Sequence, residues 1–237
     1  MDDIRAALTE ACRQNDILFS PEQAGQFQIY FEKLLDWNHK INLTSITEPV
    51  KIVEKHFLDS LMLLQVVQFK PGASLVDVGT GAGFPGVPLK IMRPDLKLTL
   101  MDSLQKRITF LDFLCDALPI EAETVHIRAE EAGRDPVYRE SFDFATARAV
   151  AGLGVLAEYC LPLVKKGGFF LAMKGPSLDE ELAGAKNAIC LLGGMIQKVE
   201  AFSLPGGDER RLVMVRKTER TAAVYPRHGG TIAKKSL

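Results

Sequence analysis

The run Leu75-Val76-Asp77-Val78-Gly79-Thr80-Gly81-Ala82-Gly83-Phe84-Pro85-Gly86 constrains this chain more than any other stretch. A short apolar segment carries one acid, then breaks into a loop with glycine at alternate positions. The segment reads as a buried parallel strand, and the glycines as the turn at its C-terminal end. Glycine adopts positive φ without steric cost and lets a ligand lie against bare backbone. Ligands of open α/β sheets bind beyond the C-terminal ends of the strands, so this loop is the leading candidate site.

Two cofactor classes use such a loop. Gly81-x-Gly83-x-x-Gly86 fits the dinucleotide fingerprint, and Asp102 lies at about the right distance for a ribose-binding acid. Asp77 weighs the other way. A carboxylate just before the first glycine repels a pyrophosphate. It suits the cationic end of S-adenosylmethionine, which carries an ammonium and a sulfonium. A dinucleotide enzyme also wants a second mononucleotide half and a substrate domain, for which 237 residues leave little room.

Before residue 74 the pattern is helical. Ser20-Pro21-Glu22-Gln23 is a capping box with proline at the first helical position. Phe27, Tyr30, Phe31, Leu34 and Leu35 recur at helical spacing behind it. Thr47 and Pro49 start another helix with Val53, Phe57, Leu61 and Leu64 inward. Trp37 and His56 read as core or boundary residues of these helices.

From Ser74 on, strands and helices alternate. Strands are expected at 75–78, 96–101, 124–127, 142–147 and 169–173, with a final pair at 195–203 and 211–216. Ser103 reads as the cap of a helix striped by Leu104, Ile108, Leu111, Leu114 and Leu118, and Ser177 to Glu180 as a second capping box. Pro205-Gly206-Gly207-Asp208 is too short for a helical crossover, so the final pair is antiparallel. The expected fold class is α/β: a seven-stranded, mostly parallel Rossmann-like sheet with a C-terminal antiparallel hairpin and an N-terminal helical extension. The hairpin resembles the class I S-adenosylmethionine-dependent methyltransferases more than plain dinucleotide folds. The division is 1–73 for the extension, 74–217 for the methyltransferase domain and 218–237 for a basic C-terminal tail.

Composition sets bounds on the rest. Net charge is −1, so no partner is announced by bulk charge. Cys12, Cys115, Cys160 and Cys190 form no CxxC, which speaks against a zinc site and suits a reducing cytoplasm. The acidic start, Met1-Asp2-Asp3, is not a signal peptide, and no apolar run approaches the roughly 18 residues of a membrane span.

Polar residues recur where strands end. Asp77, Gly79 and Gly81 belong to the glycine loop, and Phe84 packs on a cofactor or covers the loop. Asp102 is placed to accept ribose hydroxyls; Ala129 and Glu130 follow the third strand, where a backbone N–H and an acid meet an adenine edge. Arg148 and Lys174 end the fourth and fifth strands and would line a pocket suited to phosphate or guanine O6. Thr146-Ala147-Arg148-Ala149 is unlike the motif that methylates exocyclic amines, and no cysteine ends either strand for covalent attack. An acceptor with an in-plane lone pair, such as guanine N7, needs neither device. The tail residues Arg216, Lys217, Arg220, Arg227, Lys234 and Lys235 face only Glu219, and either grip RNA phosphates or form a solvated end.

Trp37-Asn38-His39-Lys40-Ile41-Asn42-Leu43-Thr44, Lys55 to Ser60, Asp77 to Gly86, Met101 to Arg107, Ala147-Arg148-Ala149, Lys174-Gly175, Tyr225-Pro226-Arg227 and Lys234-Lys235 together resemble the RsmG (GidB) family. The resemblance implies transfer of a methyl group from S-adenosyl-L-methionine to guanine N7 in the decoding-region loop of 16S rRNA, leaving S-adenosyl-L-homocysteine. It puts cofactor contacts on Gly79, Phe84, Ala129-Glu130 and Arg148. The partner is expected to be 16S rRNA, within the small ribosomal subunit or an assembly intermediate, met by a monomer in the cytoplasm, with no membrane and no metal. The missing proline after Thr231 departs from the family pattern. Two alternatives stay open: a nicotinamide-dependent oxidoreductase, and a non-catalytic RNA-binding assembly factor.

Overall fold

The computed structural model describes residues 3–148 and 151–237; Met1 and Asp2 of the acidic start and Ala149 of the Ala147-Arg148-Ala149 motif lie outside them. Helices α1 (Arg5–Arg13) and α2 (Pro21–Ile41) open the chain. The capping box forms: Ser20 Oγ accepts the Gln23 N–H, and the Gln23 side chain accepts the Ser20 N–H. A bent helical rod follows, α3 (Pro49–Ile52), a π-helical turn (Val53–Leu58), α4 (Asp59–Leu61) and α5 (Leu63–Val66). Its start is not capped by Thr47: Glu48 takes the capping position and makes no side-chain bond there.

The alternating part runs β1 (Ser74–Val78), α6 (Gly86–Met92), β2 (Lys97–Asp102), α7 (Gln105–Ala117), β3 (Ala122–His126), α8 (Ala129–Ala132) and β4 (Phe142–Arg148). It continues through α9 (Leu153–Cys160), β5 (Val164–Lys174), α10 (Leu178–Leu191), β6 (Gly194–Ser203), β7 (Glu209–Lys217) and α11 (Gly229–Lys234). Among the described residues the strands form one seven-stranded sheet in the order β3-β2-β1-β4-β5-β7-β6. The first five are parallel; β7 pairs antiparallel with both β5 and β6, as the short loop between them requires. Two caps differ from expectation. Neither Ser103 nor Ser177 makes a side-chain cap bond. At α7 the Asp102 carboxylate takes the Leu104 N–H instead, and Leu104 sits at the exposed end of its stripe.

Alternation along the strands sorts two cores. Leu75, Leu98, Leu100, Phe144 and Leu171 face α2, the helical rod, α6 and α7. Val76, Val78, Ala145, Phe170 and Val213 face α9 and α10. The N-terminal helices therefore share one layer of the molecule with α6 and α7. They also reach the glycine loop directly, since the Tyr30 hydroxyl of α2 donates to the Ala82 carbonyl at 2.6 Å. A Cβ on Gly83 would stand 2.8 Å from Tyr30 Oη and from Val87 Cγ2, and φ there is +99°. That glycine is dictated by the helix packed above it.

The basic tail does not stand free. Arg227 makes a fork of hydrogen bonds to the fully buried Glu158 of α9, at 2.7 to 3.2 Å. Lys217 is itself fully buried, beside the Leu161 carbonyl, Thr221 and Glu140. Burial lowers its ammonium pKa to about 8. These two cations are held within the fold, which departs from both expectations for them, an RNA grip and a solvated end.

Candidate active site

The C-terminal ends of β1, β2, β4 and β5 bring the expected residues to one edge. Beyond β1 the chain turns through Gly79, Gly81 and Gly83, all at positive φ. The loop hangs from β2, with the Gly79 and Thr80 N–H groups both donating to the Met101 carbonyl at 2.9 and 3.1 Å. Asp77 lies behind this loop, fully buried. Its Oδ2 accepts from Thr80 Oγ1 at 2.7 Å and from the Gly86 N–H at 2.8 Å. Its Oδ1 is buried and takes no hydrogen bond from the described residues. Burial raises the carboxyl to about 6, against the pull of the Thr80 and Gly86 bonds.

Asp102 ends β2, with Oδ2 accepting from the Gly81 N–H at 3.0 Å and from Arg107 Nη1 at 3.1 Å. Its Oδ1 takes the Leu104 N–H at 2.9 Å. The sequence marked Asp102 as open to a ligand; the structure adds Arg107 as its ion-pair partner. Two cavities flank this acid. One, about 430 Å³, is lined by Thr44, Gly79, Gly81, Phe84, Asp102 and Arg148 among others. The other, about 170 Å³, lies between Gly79, Met101, Ala129, Glu130 and Tyr159. Gly79, Asp102 and Ser103 are common to both, so the two adjoin as halves of one elongated cleft.

A third cavity, about 310 Å³, adjoins on the far side of Arg148 and His56 and reaches Lys174 at the end of β5. Lys174 Nζ is held by Glu181 at 2.7 Å and by the Ala151 carbonyl at 2.9 Å. His56 and Arg148 line both cavities and form the partition, with Phe84 packed against them on the glycine-loop side. The Phe84 ring stacks on Tyr30 (5.2 Å between centroids) and on His56 (4.7 Å), and the Arg148 guanidinium lies 5.0 Å over it. His56 Nε2 is 2.8 Å from Thr44 Oγ1 and Nδ1 is 3.1 Å from the Lys55 carbonyl. Burial, reinforced by Arg148, pushes its pKa down to about 4, so the imidazole is neutral at neutral pH. Read from the sequence as a boundary residue, His56 turns out to separate the two halves of the site. Trp37 keeps the plainer role, packed on Phe110 and Phe113.

Asp59 and Arg107 entered the sequence reading only as members of the family motifs, with no role of their own, and Arg210 did not enter it. Asp59 Oδ2 accepts from Arg148 Nη1 at 3.0 Å, and Arg210 Nε lies 3.2 Å from Oδ1. A larger cleft, about 770 Å³, opens where β2 and β3 begin, beside Lys97 and Glu123, away from the strand ends where the glycine loop and these residues converge.

The donor set fits S-adenosylmethionine. An enclosed carboxylate oxygen without a donor sits behind a bare-backbone turn, and a second acid closes the next strand. Sheet order, terminal hairpin and strand-end cleft define a class I S-adenosylmethionine-dependent methyltransferase. Solved structures share the fold: a SAM-dependent O-methyltransferase from Thermotoga maritima superposes with TM-score 0.53 at 12% identity, covering 80% of this chain and 73% of that one. A 16S rRNA (adenine(1408)-N(1))-methyltransferase variant from Catenulisporales acidiphilia gives 0.52 at 16% identity, covering 67% and 88%.

The sequence goes further than the fold. A family model described as GidB, rRNA small subunit methyltransferase G, matches residues 23–213, and the chain belongs to that family. The ribosomal RNA small subunit methyltransferase G of Desulfitobacterium hafniense (strain Y51) is 50% identical, with 94% of this chain and 92% of that one covered. The protein of the same name from Lactococcus lactis subsp. lactis (strain IL1403) is 47% identical, covering 100% and 98%.

Proposed function

We propose that this chain transfers the methyl group of S-adenosylmethionine to N7 of a guanine in the decoding-region loop of 16S rRNA. The observation that carries the reading is the pairing of an acid-backed glycine cleft with a cation-lined cavity, separated by His56 and Arg148. The names of full-length relatives near half identity support the RNA target. The donor supplies an electrophilic methyl on a sulfonium; everything else falls to the chain's own side chains. Asp77 Oδ1 takes the ammonium end, with Gly79 and Gly81 as the floor. Asp102 takes the ribose diol. Three of its roughly four acceptor directions are already used, so ribose binding displaces Arg107. The Ala129 N–H and Glu130 meet the adenine edge in the smaller half of the cleft.

On the acceptor side, Arg148 and Lys174 orient the base, and catalysis is in-line positioning of the N7 lone pair. N7 loses no proton, so the neutral His56 is a wall and not a general base. The partner is proposed to be 16S rRNA in the small subunit or an assembly intermediate, met by a monomer in the cytoplasm. Among the described residues no helix is long and apolar enough to cross a membrane.

The test is mass mapping of small subunits and of protein-free 16S rRNA after incubation with the protein and S-adenosylmethionine. A single methyl on a decoding-loop guanine is expected. Modification of another base, or reduction of a nicotinamide cofactor without methyl transfer, would overturn the reading.

Asp77 also predicts a pH dependence. The ionised carboxylate is the form that binds a cation, and it is lost as pH falls through about 6. Affinity for S-adenosylmethionine should therefore weaken about tenfold from pH 7.5 to pH 5 by calorimetry. Stability moves the other way. The folded pKa lies above the ordinary 3.8, so this group's contribution is complete below that pH and is lost as pH rises through about 6. Affinity that is flat across this range would exclude Asp77 as the ammonium's partner.

A further inference from the structure

Asp59 has no part in the mechanism above, yet it is the most constrained acid at the acceptor cavity. Its side chain is 4% exposed, and two arginines from distant parts of the chain converge on it. Arg148 ends β4 and Arg210 lies in β7, beyond the hairpin turn. The π-helical turn sets up this arrangement. The Asp59 N–H reaches back to the carbonyls of Glu54 and His56. The Lys55 carbonyl, the partner that N–H would take in an α-helix, accepts from Arg148 Nη1 at 3.1 Å. Arg148 is thus gripped by a backbone carbonyl and a carboxylate from the same turn.

The hairpin tip is latched to that turn as well. Lys55 Nζ is 2.5 Å from Asp208, and the Gly206 N–H donates to Glu54. Lys55 and Lys174 have their own acids, Asp208 and Glu181. Arg148 and Arg210 share one carboxylate; the second acid near Arg210, Asp208, stands 3.8 Å off and is already engaged by Lys55. Positive charge therefore remains on the edge these guanidiniums present to the cavity. Asp59 borders the cavity, but its side chain is nearly enclosed and its Oδ1 takes no aligned hydrogen bond, so Asp59 acts through the arginines.

We propose that Asp59 is a positioning residue: it yokes Arg148 and Arg210 into a paired guanidinium fork that holds an RNA phosphate beside the acceptor base. Two guanidiniums held at fixed spacing present several N–H donors to one phosphate, which a single mobile arginine does not. The inference rests on the rRNA-methylation reading for its substrate class.

Asp59→Asn separates this role from charge balance, because the two predict opposite signs. Removing a negative charge from a nucleic-acid face should tighten RNA binding if only net charge matters. If Asp59 positions the fork, binding weakens. The full chain is compared with Asp59→Asn, Asp59→Glu and Arg210→Lys on unmethylated small subunits. Filter binding with S-adenosylhomocysteine present is read separately from methyl transfer. Asp59→Asn is expected to raise KM and the RNA Kd about tenfold, and to lower the slope of log affinity against log salt by about one. The Kd for S-adenosylmethionine should stay within about twofold of wild type. Asp59→Glu should recover part of the loss.

Arg210→Lys leaves the buried Asp59–Arg148 pair in place, so folding is not in question, and it should raise KM several-fold with kcat retained. RNA binding that is unchanged or tighter in Asp59→Asn, or an Arg210→Lys enzyme with wild-type KM, overturns the proposal. Wild-type protein that binds the subunit without methylating it overturns the proposed function alone. Failure of the wild type to bind overturns both.

Discussion

An aspartate at position 79 abolishes S-adenosylmethionine binding while the fold survives. Gly79 is the backbone common to both halves of the cleft, with φ of +66°. Aspartate is one of the few side chains that visits this left-handed region, at a cost of about 1 to 2 kcal/mol. A domain stable by about 5 to 15 kcal/mol tolerates that. The ligand does not tolerate it. The new side chain occupies the neck where the cofactor must lie against bare backbone. Calorimetry of Gly79→Asp should show no heat at concentrations that saturate the wild type. Its thermal midpoint should fall by only a few degrees. Wild-type affinity in this variant would remove the loop from the account.

The second large effect is expected at Arg148. Its guanidinium donates to Asp59 and to the Lys55 carbonyl, and covers the Phe84 ring. Truncation to alanine takes the hydrogen-bonded partner from a buried carboxylate, a change that costs about 3 to 5 kcal/mol where nothing else compensates. Arg210, 3.2 Å from the other oxygen, limits that loss. The methyl acceptor loses more, since the same side chain forms the wall between donor and acceptor cavities. Arg148→Ala should lower kcat/KM at least about a hundredfold, equivalent to about 2.7 kcal/mol of transition-state stabilisation. S-adenosylmethionine affinity should change far less. Arg148→Lys should fall between, keeping the charge and losing the fork. Full activity in Arg148→Ala would place the acceptor elsewhere.

The strand-end residues were legible because they follow from local pattern. Asp77 and Gly79 flank the end of an apolar run, Asp102, Arg148 and Lys174 each terminate one, and parallel topology brings such ends together. The terminal hairpin was legible from one short loop. Asp59, Arg107 and Arg210 were not. Asp59 reads in sequence as an ordinary helix acid, and nothing in the spacing of Val53, Phe57 and Leu61 signals that the helix widens to a π turn there. His56 was undervalued for the same reason: its importance comes from which strand ends the rod packs against. The cap at Ser103 failed because the helix starts one residue later, with Leu104 in the capping position and its N–H turned back to Asp102. In the tail, composition suggested free cations, while buried Glu158 and Glu140 had already claimed Arg227 and Lys217.

The latch between the π turn and the hairpin has a consequence for recombining relatives. Three contacts, Lys55 to Asp208, Glu54 to Gly206 and Asp59 to Arg210, join segments about 150 residues apart. A chimera whose crossover falls anywhere between them would take one side of the latch from each parent. Where the parents differ at these positions, both segments must travel together to keep the contacts, although they lie far apart in the sequence.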